Sequence, residues 1–123
     1  MSKPYDEVFR SDSTVNLAKQ GNPIGFKADQ GKNRLGLVIG SMARAMEEIG
    51  RVATFGASKY TPDGWLHVDD GETRYKDALL RHLLATYRGE ERDHESGLQH
   101  LAHAAWCAIA VLDLHLRDRK SVV

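Results

Sequence analysis

The sequence predicts an all-α fold, a small bundle of three principal helices preceded by an N-terminal arm. Three observations carry that expectation. Apolar residues recur at three- and four-residue spacing in three separate segments, no segment alternates apolar and polar residues as a half-buried strand does, and short Gly-, Pro- and Asp-bearing connections divide the segments. A chain of 123 residues, 41% hydrophobic and 28% charged, suits one small domain.

Residues 1–34 hold scattered apolar residues, Asn22-Pro23 and a glycine-punctuated basic stretch, FKADQGKNR, without a sustained period. They are expected to form an arm and a basic loop. From Leu35 the pattern changes: Leu35, Ile39, Met42, Met46, Ile49 and Ala53 share one helical face, so a first helix is predicted over 35–56. The segment KYTPDGW follows, with Pro62-Asp63-Gly64 as a turn in which glycine makes positive φ cheap. A second helix is predicted from Thr73, an N-cap, through Leu79, Leu80, Leu83, Leu84 and Tyr87 to Gly89, a C-cap. After the polar loop GEERDHES, a third helix is predicted over 96–117. The helical domain is therefore expected to cover 35–118, with 119–123 as a tail. The third helix is apolar nearly all round, which fits a central position or an interface between subunits.

Charge excludes some partners. Lys plus Arg and Asp plus Glu balance at 17 each, so no net field draws the chain to nucleic acid or an anionic membrane, and any anion must meet a local cationic cluster. The single cysteine, Cys107, suits a reducing compartment and a buried apolar role. The longest apolar run is broken by His103 and Asp113, short of the roughly 20 residues a membrane span needs, and the N-terminus lacks a signal core. A cytoplasmic protein is expected.

The polar residues on inner faces suggest a site. In ESGLQHLAHAAWCAIAVL, His100, Ala104, Cys107, Val111 and Leu114 fall on one face, with His103 at its edge. Each imidazole is either a satisfied core group or a functional one. On the second helix Asp77, Arg81, Leu84 and Arg88 form one flank, His82 lies on the other, and Asp77 and Arg81 are spaced for a helix ion pair. On the first helix Glu47 is the better inward candidate, with Glu48 farther round beside Arg44 and Arg51. Facing helices that carry such groups can hold a metal; carboxylates suit Mg²⁺ or Mn²⁺, and imidazole admits Mn²⁺ or Zn²⁺. Lys27, Lys32 and Arg34 lead into this set, and Lys59, Arg74 and Arg81 stand near helix ends. Cations beside acids suit a substrate with several phosphates. Trp65 and Trp106 offer stacking or packing surfaces, with packing favoured for Trp106.

The ordered blocks FKADQGKNRL, MEEIGRVATFGASKYTPDGW and RYKDALLRHLLATYRGEERDHESGLQHLAHAAW resemble the MazG-like all-α nucleotide pyrophosphohydrolases of phages, in the dATP/dGTP diphosphohydrolase branch. The likeness covers about Phe26 to Leu114 and is strongest to members serving 2-aminoadenine genomes. It implies hydrolysis of a purine deoxynucleoside triphosphate, dGTP favoured and dATP possible, to the monophosphate and pyrophosphate. It also implies two or more Mg²⁺ or Mn²⁺ ions and a homodimer or homotetramer. By this resemblance Lys27, Lys32, Arg34, Lys59, Arg74, Arg81 and His82 would bind substrate. Glu47, Glu48, Asp77 and Glu95 would hold metal, and Glu47, His100 and His103 would serve catalysis. One departure stands out: the wider superfamily carries ExxE and ExxD pairs, whereas Glu47 and Glu48 are adjacent here and His100 and His103 occupy the ExxD-like spacing. A reading from another class is a non-catalytic helical protein that senses a nucleotide or a metal.

Overall fold

The computed structural model describes residues 21–122, with side chains through Asp118. Most of the predicted arm, residues 1–20, and the last residue of the predicted tail lie outside the described residues. The chain divides into two units, 1–41 and 42–123. Three α-helices dominate the described residues: α1 (Ala43–Lys59), α2 (Gly71–Tyr87) and α3 (His100–Val122). The strand-like pairing among those residues is an isolated antiparallel bridge, Arg92 with Gln99. No helix of the described residues is long and apolar enough to cross a membrane.

In the first unit, Leu35–Leu37 is a single 3-10 turn, not the first turn of the predicted long helix. Glycines at 36 and 40 each cost about 1 kcal/mol in a helix interior, and the backbone tightens around them instead. The N–H groups of both Gly40 and Ser41 donate to Gly36 O at 3.0 Å. A Cβ on residue 40 would sit 2.8 Å from that oxygen, so the crossing requires glycine. Lys27, Lys32 and Arg34 belong to this unit and are exposed.

The second unit begins with α1, whose buried position is Val52. Lys59 lies in its last turn, where a cation complements the helix dipole. The following turn closes through Gly64 N–H donating to Thr61 O at 3.1 Å. The expectation about Gly64 needs correcting: its φ is not positive, and what favours glycine is space, since a Cβ would meet Thr61 Oγ1 at 2.8 Å. A 3-10 turn, Gly64–His67, then leads to α2.

Helix α2 starts two residues before the predicted Thr73 cap, after Asp70 in the left-handed region at φ 53°. Its C-terminus follows the prediction closely. Gly89, at φ 86°, donates to Thr86 O and Glu90 N–H donates to Ala85 O, both at 3.0 Å, the paired bonds that close a helix through a left-handed residue. Helix α3 starts later than predicted, at His100 instead of 96, and runs through the segment expected to be a tail. The delay has a local cause. The carboxylate of Asp93 accepts the N–H groups of Glu95 (3.1 Å) and Ser96 (2.9 Å), and Asp93 N–H donates to Leu98 O at 2.8 Å. A side chain that captures the backbone donors just ahead of it offers the chain a turn in place of a helix.

Helix α3 is central, packing chiefly on α2 and also on α1. The buried apolar residues are Val52, Ala85, Ala102, Ala104, Cys107 and Ala110. Small side chains on facing helices let the backbones approach closely. Leu80, Leu84, Leu101, Ile109, Leu112 and Leu116 are exposed in the single chain.

Candidate active site

A cavity of about 710 Å³ opens among the three helices and the α1–α2 connection. Aromatic groups build one wall. Trp106 of α3 meets Trp65 edge-on at 6.0 Å and Tyr75 of α2 edge-on at 5.4 Å, while the Tyr75 hydroxyl donates to Trp65 O at 3.0 Å. Edge-to-face contacts and the hydroxyl bond hold these rings in place, so the packing role expected of Trp106 is observed. Cys107 lines the same space and burial pushes its thiol up to about 11, so it is an inert neutral group.

Cations occupy another part of the lining: Lys59, Arg74 and Arg81. Lys59 Nζ binds Glu95 Oε2 at 2.6 Å, and this hydrogen bond raises the lysine's pKa. Arg74 reaches only a backbone oxygen, that of Asp69, at 3.3 Å. The Asp77–Arg81 ion pair that the spacing allows does not form; both residues are exposed, and neither has an ion-pair or hydrogen-bond partner for its side chain among the described residues. Arg74 and Arg81 therefore line the cavity without an ion-pair partner among the described residues.

Three imidazoles meet beside them. His82 of α2 stacks on His103 of α3 with ring centroids 4.6 Å apart and planes 11° from parallel, and its Nδ1 lies 2.9 Å from Nδ1 of His100. His100 is only 6% exposed. Burial, then the neighbouring imidazoles His103 and His100, lower the His82 pKa to about 4. Burial also lowers that of His103 against the raising field of Asp93. Both rings are thus neutral at pH 7. Ser96 Oγ sits 2.7 Å from His103 Nε2 and accepts the Leu98 N–H at 3.1 Å. Asp93 Oδ2 approaches the same nitrogen at 4.0 Å. Because serine and aspartate converge on one nitrogen of His103, the trio is not a relay of the Ser-His-Asp type, which uses both. Burial would raise the Asp93 pKa, but the Ser96 N–H and hydroxyl outweigh it and hold the carboxylate ionised.

The cavity thus unites six expected site residues: Lys59, Arg74, Arg81, His82, Glu95 and His103. Glu47, Glu48 and Asp77 are not among its lining residues, and His100 stands behind His82. The inward role expected of Glu47 needs correcting. At about 100° per residue, Glu48 stands about 40° from buried Val52 and Glu47 about 140° away. Accordingly the Glu47 side chain is 70% exposed and the Glu48 side chain 32%, and both face Arg51. Among the described residues, Glu47, Glu48, Asp77 and Glu95 form no group of three or more ligating side chains close enough to share an ion. Sequence reasoning missed Asp93, Ser96 and Glu90. The first two carry a readable pattern: Asp93-His94-Glu95-Ser96 places a capping carboxylate three residues before a serine.

Fold and site define an all-helical protein with a cationic, aromatic-walled cavity and a histidine–carboxylate cluster at one side. The chain belongs to the family described as dATP/dGTP diphosphohydrolase, N-terminal, whose model matches residues 22–122. A similar protein is the dATP/dGTP diphosphohydrolase of Salmonella phage PMBT28, 40% identical over 83 residues that make up 66% of this chain and 26% of the relative. The chain therefore spans about a quarter of the length of the curated relative it matches. No solved structure matches. The expected membership of the dATP/dGTP diphosphohydrolase family is met.

Proposed function

We propose that the chain hydrolyses a purine deoxynucleoside triphosphate, dGTP in preference to dATP, to the monophosphate and diphosphate in the cytoplasm of an infected cell. The observation that carries this reading is the pair of arginines, Arg74 and Arg81, that have no ion-pair partner among the described residues and line a cavity that also holds aromatic rings and neutral imidazoles. Arginine forks suit phosphate oxygens, and charge-assisted bonds of this kind are about twice as strong as neutral ones. Lys59 would add a third cation once its carboxylate partner yields. Trp65 and Tyr60 supply faces on which a purine would rest. His103, neutral and on the cavity wall, is in the form that accepts a proton from an attacking water.

The name of the phage relative and the family supply the substrate class. Preference for guanine and a place on a 2-aminoadenine route, where dGMP would be the precursor, rest on the sequence likeness. Mg²⁺ or Mn²⁺, two or more per site, remains the expected cofactor; a divalent ion offsets triphosphate charge and activates water. Because the four acids expected to hold such ions form no such group among the described residues, no step is assigned through them. Homodimer or homotetramer formation is likewise proposed, supported by the exposed Leu101, Ile109, Leu112 and Leu116 on α3.

The test is a panel of the four dNTPs, assayed separately for phosphate and diphosphate with each divalent ion. Diphosphate release with the matching monophosphate, fastest from dGTP, is the expected result. Release of neither product from any dNTP would sink the proposal.

A further inference from the structure

One nitrogen from each of His82 and His100 and one oxygen of Asp93 all lie within 4.8 Å of one another. They come from three places in the fold: the middle of α2, the turn before α3 and the first residue of α3. We propose that His82, Asp93 and His100 bind one divalent transition ion of the Zn²⁺ or Co²⁺ class in preference to Mg²⁺. This site is distinct from the carboxylate set expected for hard ions and stands independently of the hydrolysis reading.

Four features carry it. First, two Nδ1 atoms facing at 2.9 Å place lone pairs against each other unless a proton or a cation sits between them. A loaded tetrahedral site has ligand–ligand edges of roughly 3.4 Å, so the imidazole pair is already near the needed separation, and binding would draw Asp93 inward. Second, Asp93 is aimed before any ion arrives. The Glu95 and Ser96 N–H groups both bind Oδ2, leaving Oδ1 without either bond. Third, His100 Nε2 is buried with no hydrogen-bond partner, and Glu90 Oε2 stands 3.8 Å from it. Carboxylates behind a ligating histidine are the usual means of fixing its tautomer and raising its basicity. In this arrangement Glu90 is a positioning residue. Fourth, two imidazoles and one carboxylate form a donor set that suits borderline transition ions, whereas Mg²⁺ favours oxygen donors and retained water. His82 and Asp93 line the cavity, so an ion held by the three would keep a position open toward it.

The experiment titrates the chelator-stripped full chain with Co²⁺ in the absence of nucleotide and follows the visible absorption. The expected result is one Co²⁺ per chain with the intense bands of a four- or five-coordinate ion, displaced by Zn²⁺ and not by millimolar Mg²⁺. Loss of an outer partner typically costs about 10- to 100-fold in metal affinity, so Glu90→Gln is expected to weaken binding about tenfold. His82→Ala and Asp93→Asn are expected to weaken it by more than 100-fold, an order-of-magnitude expectation for direct ligands. His115→Ala, at an exposed histidine paired with Glu72, leaves affinity unchanged. Because His100 is buried, His100→Asn is tested only after circular dichroism confirms folding; the Zn²⁺-dependent rise in Tm, lost in Asp93→Asn, serves as the second readout. Weak octahedral bands, displacement by Mg²⁺, or undiminished affinity in the His82 and Asp93 variants overturns the site. Absence of dNTP turnover with Co²⁺ binding intact would remove only the hydrolysis reading.

Discussion

Acid sensitivity of the metal-free protein follows from the stacked histidines and can be sized from the structure. His82 has an ordinary pKa of 6.5 and a folded value of about 4. Its folded form resists protonation, so the unfolded chain takes up the proton first as pH falls through 6.5. Stability from this group is therefore complete above 6.5, declines between 6.5 and about 4, and falls no further below that. At about 1.4 kcal/mol per pH unit, the difference of about 2.5 sets a ceiling of about 3.5 kcal/mol. The ring is only half-buried, so solvent screening reduces the expected loss to about 1–2 kcal/mol. His103, lowered in the same direction, adds to the decline, and Asp93 works against it on His103. Urea midpoints in EDTA, measured from pH 7.5 to 4.5 for wild type and His82→Asn, are the check. Wild type is expected to lose more stability than the variant over this range. Equal losses would refute the claim that the stack excludes the protonated ring.

Other outcomes follow from single positions. Arg81→Ala is expected to lower kcat/KM for dGTP by roughly 10- to 100-fold, the worth of one or two charge-assisted bonds to phosphate, with an unchanged melt; an unchanged kcat/KM would remove Arg81 from the substrate site. Gly89→Ala places a Cβ at φ 86° in the bond pair that ends α2, and is expected to cost about 1 kcal/mol, seen as a Tm lower by about 3–5 °C. A Tm within error of wild type would show that the turn relaxes. Cys107, buried and pushed up to about 11, is expected to react with a thiol reagent only as fast as the protein opens, so denaturant accelerates labelling steeply. Labelling at the rate of a free thiol would contradict the burial.

The three helices and the end of α2 were legible because hydrophobic spacing and Gly89 are local features. The beginning of α3 was not, because a side-chain effect decides it: Asp93 captures two N–H groups that a helix starting at residue 96 would have used otherwise. The start of α1 failed for a related reason. The period of Leu35, Ile39 and Met42 continues that of the helix, but Gly36 and Gly40 give a backbone crossing that a helical wheel does not register. The choice between the two glutamates followed the flank of Ala43, Gly50 and Thr54 and pointed the other way from the burial. Reckoned from Val52, which is buried, Glu48 is on the shielded side and Glu47 is not. His100 and His103 were correctly turned inward, while their pairing with His82 across helices and with Ser96 and Asp93 in the turn depends on tertiary placement that periodicity cannot give.

The buried alanines of α2 and α3 have a bearing on how this protein would tolerate change. Ala85 of α2 and Ala102, Ala104 and Ala110 of α3 are buried one-methyl side chains on the same two helices that carry His82 and His103, helices that pack on each other. Enlarging any of them to valine adds volume at a buried position, at a typical cost of about 1–3 kcal/mol, and is expected to press packed helices apart. The stacked rings, 4.6 Å apart, would register that widening before the fold itself gave way. These alanines thus act as a calibration element for the cavity, and random libraries should find them intolerant of bulk.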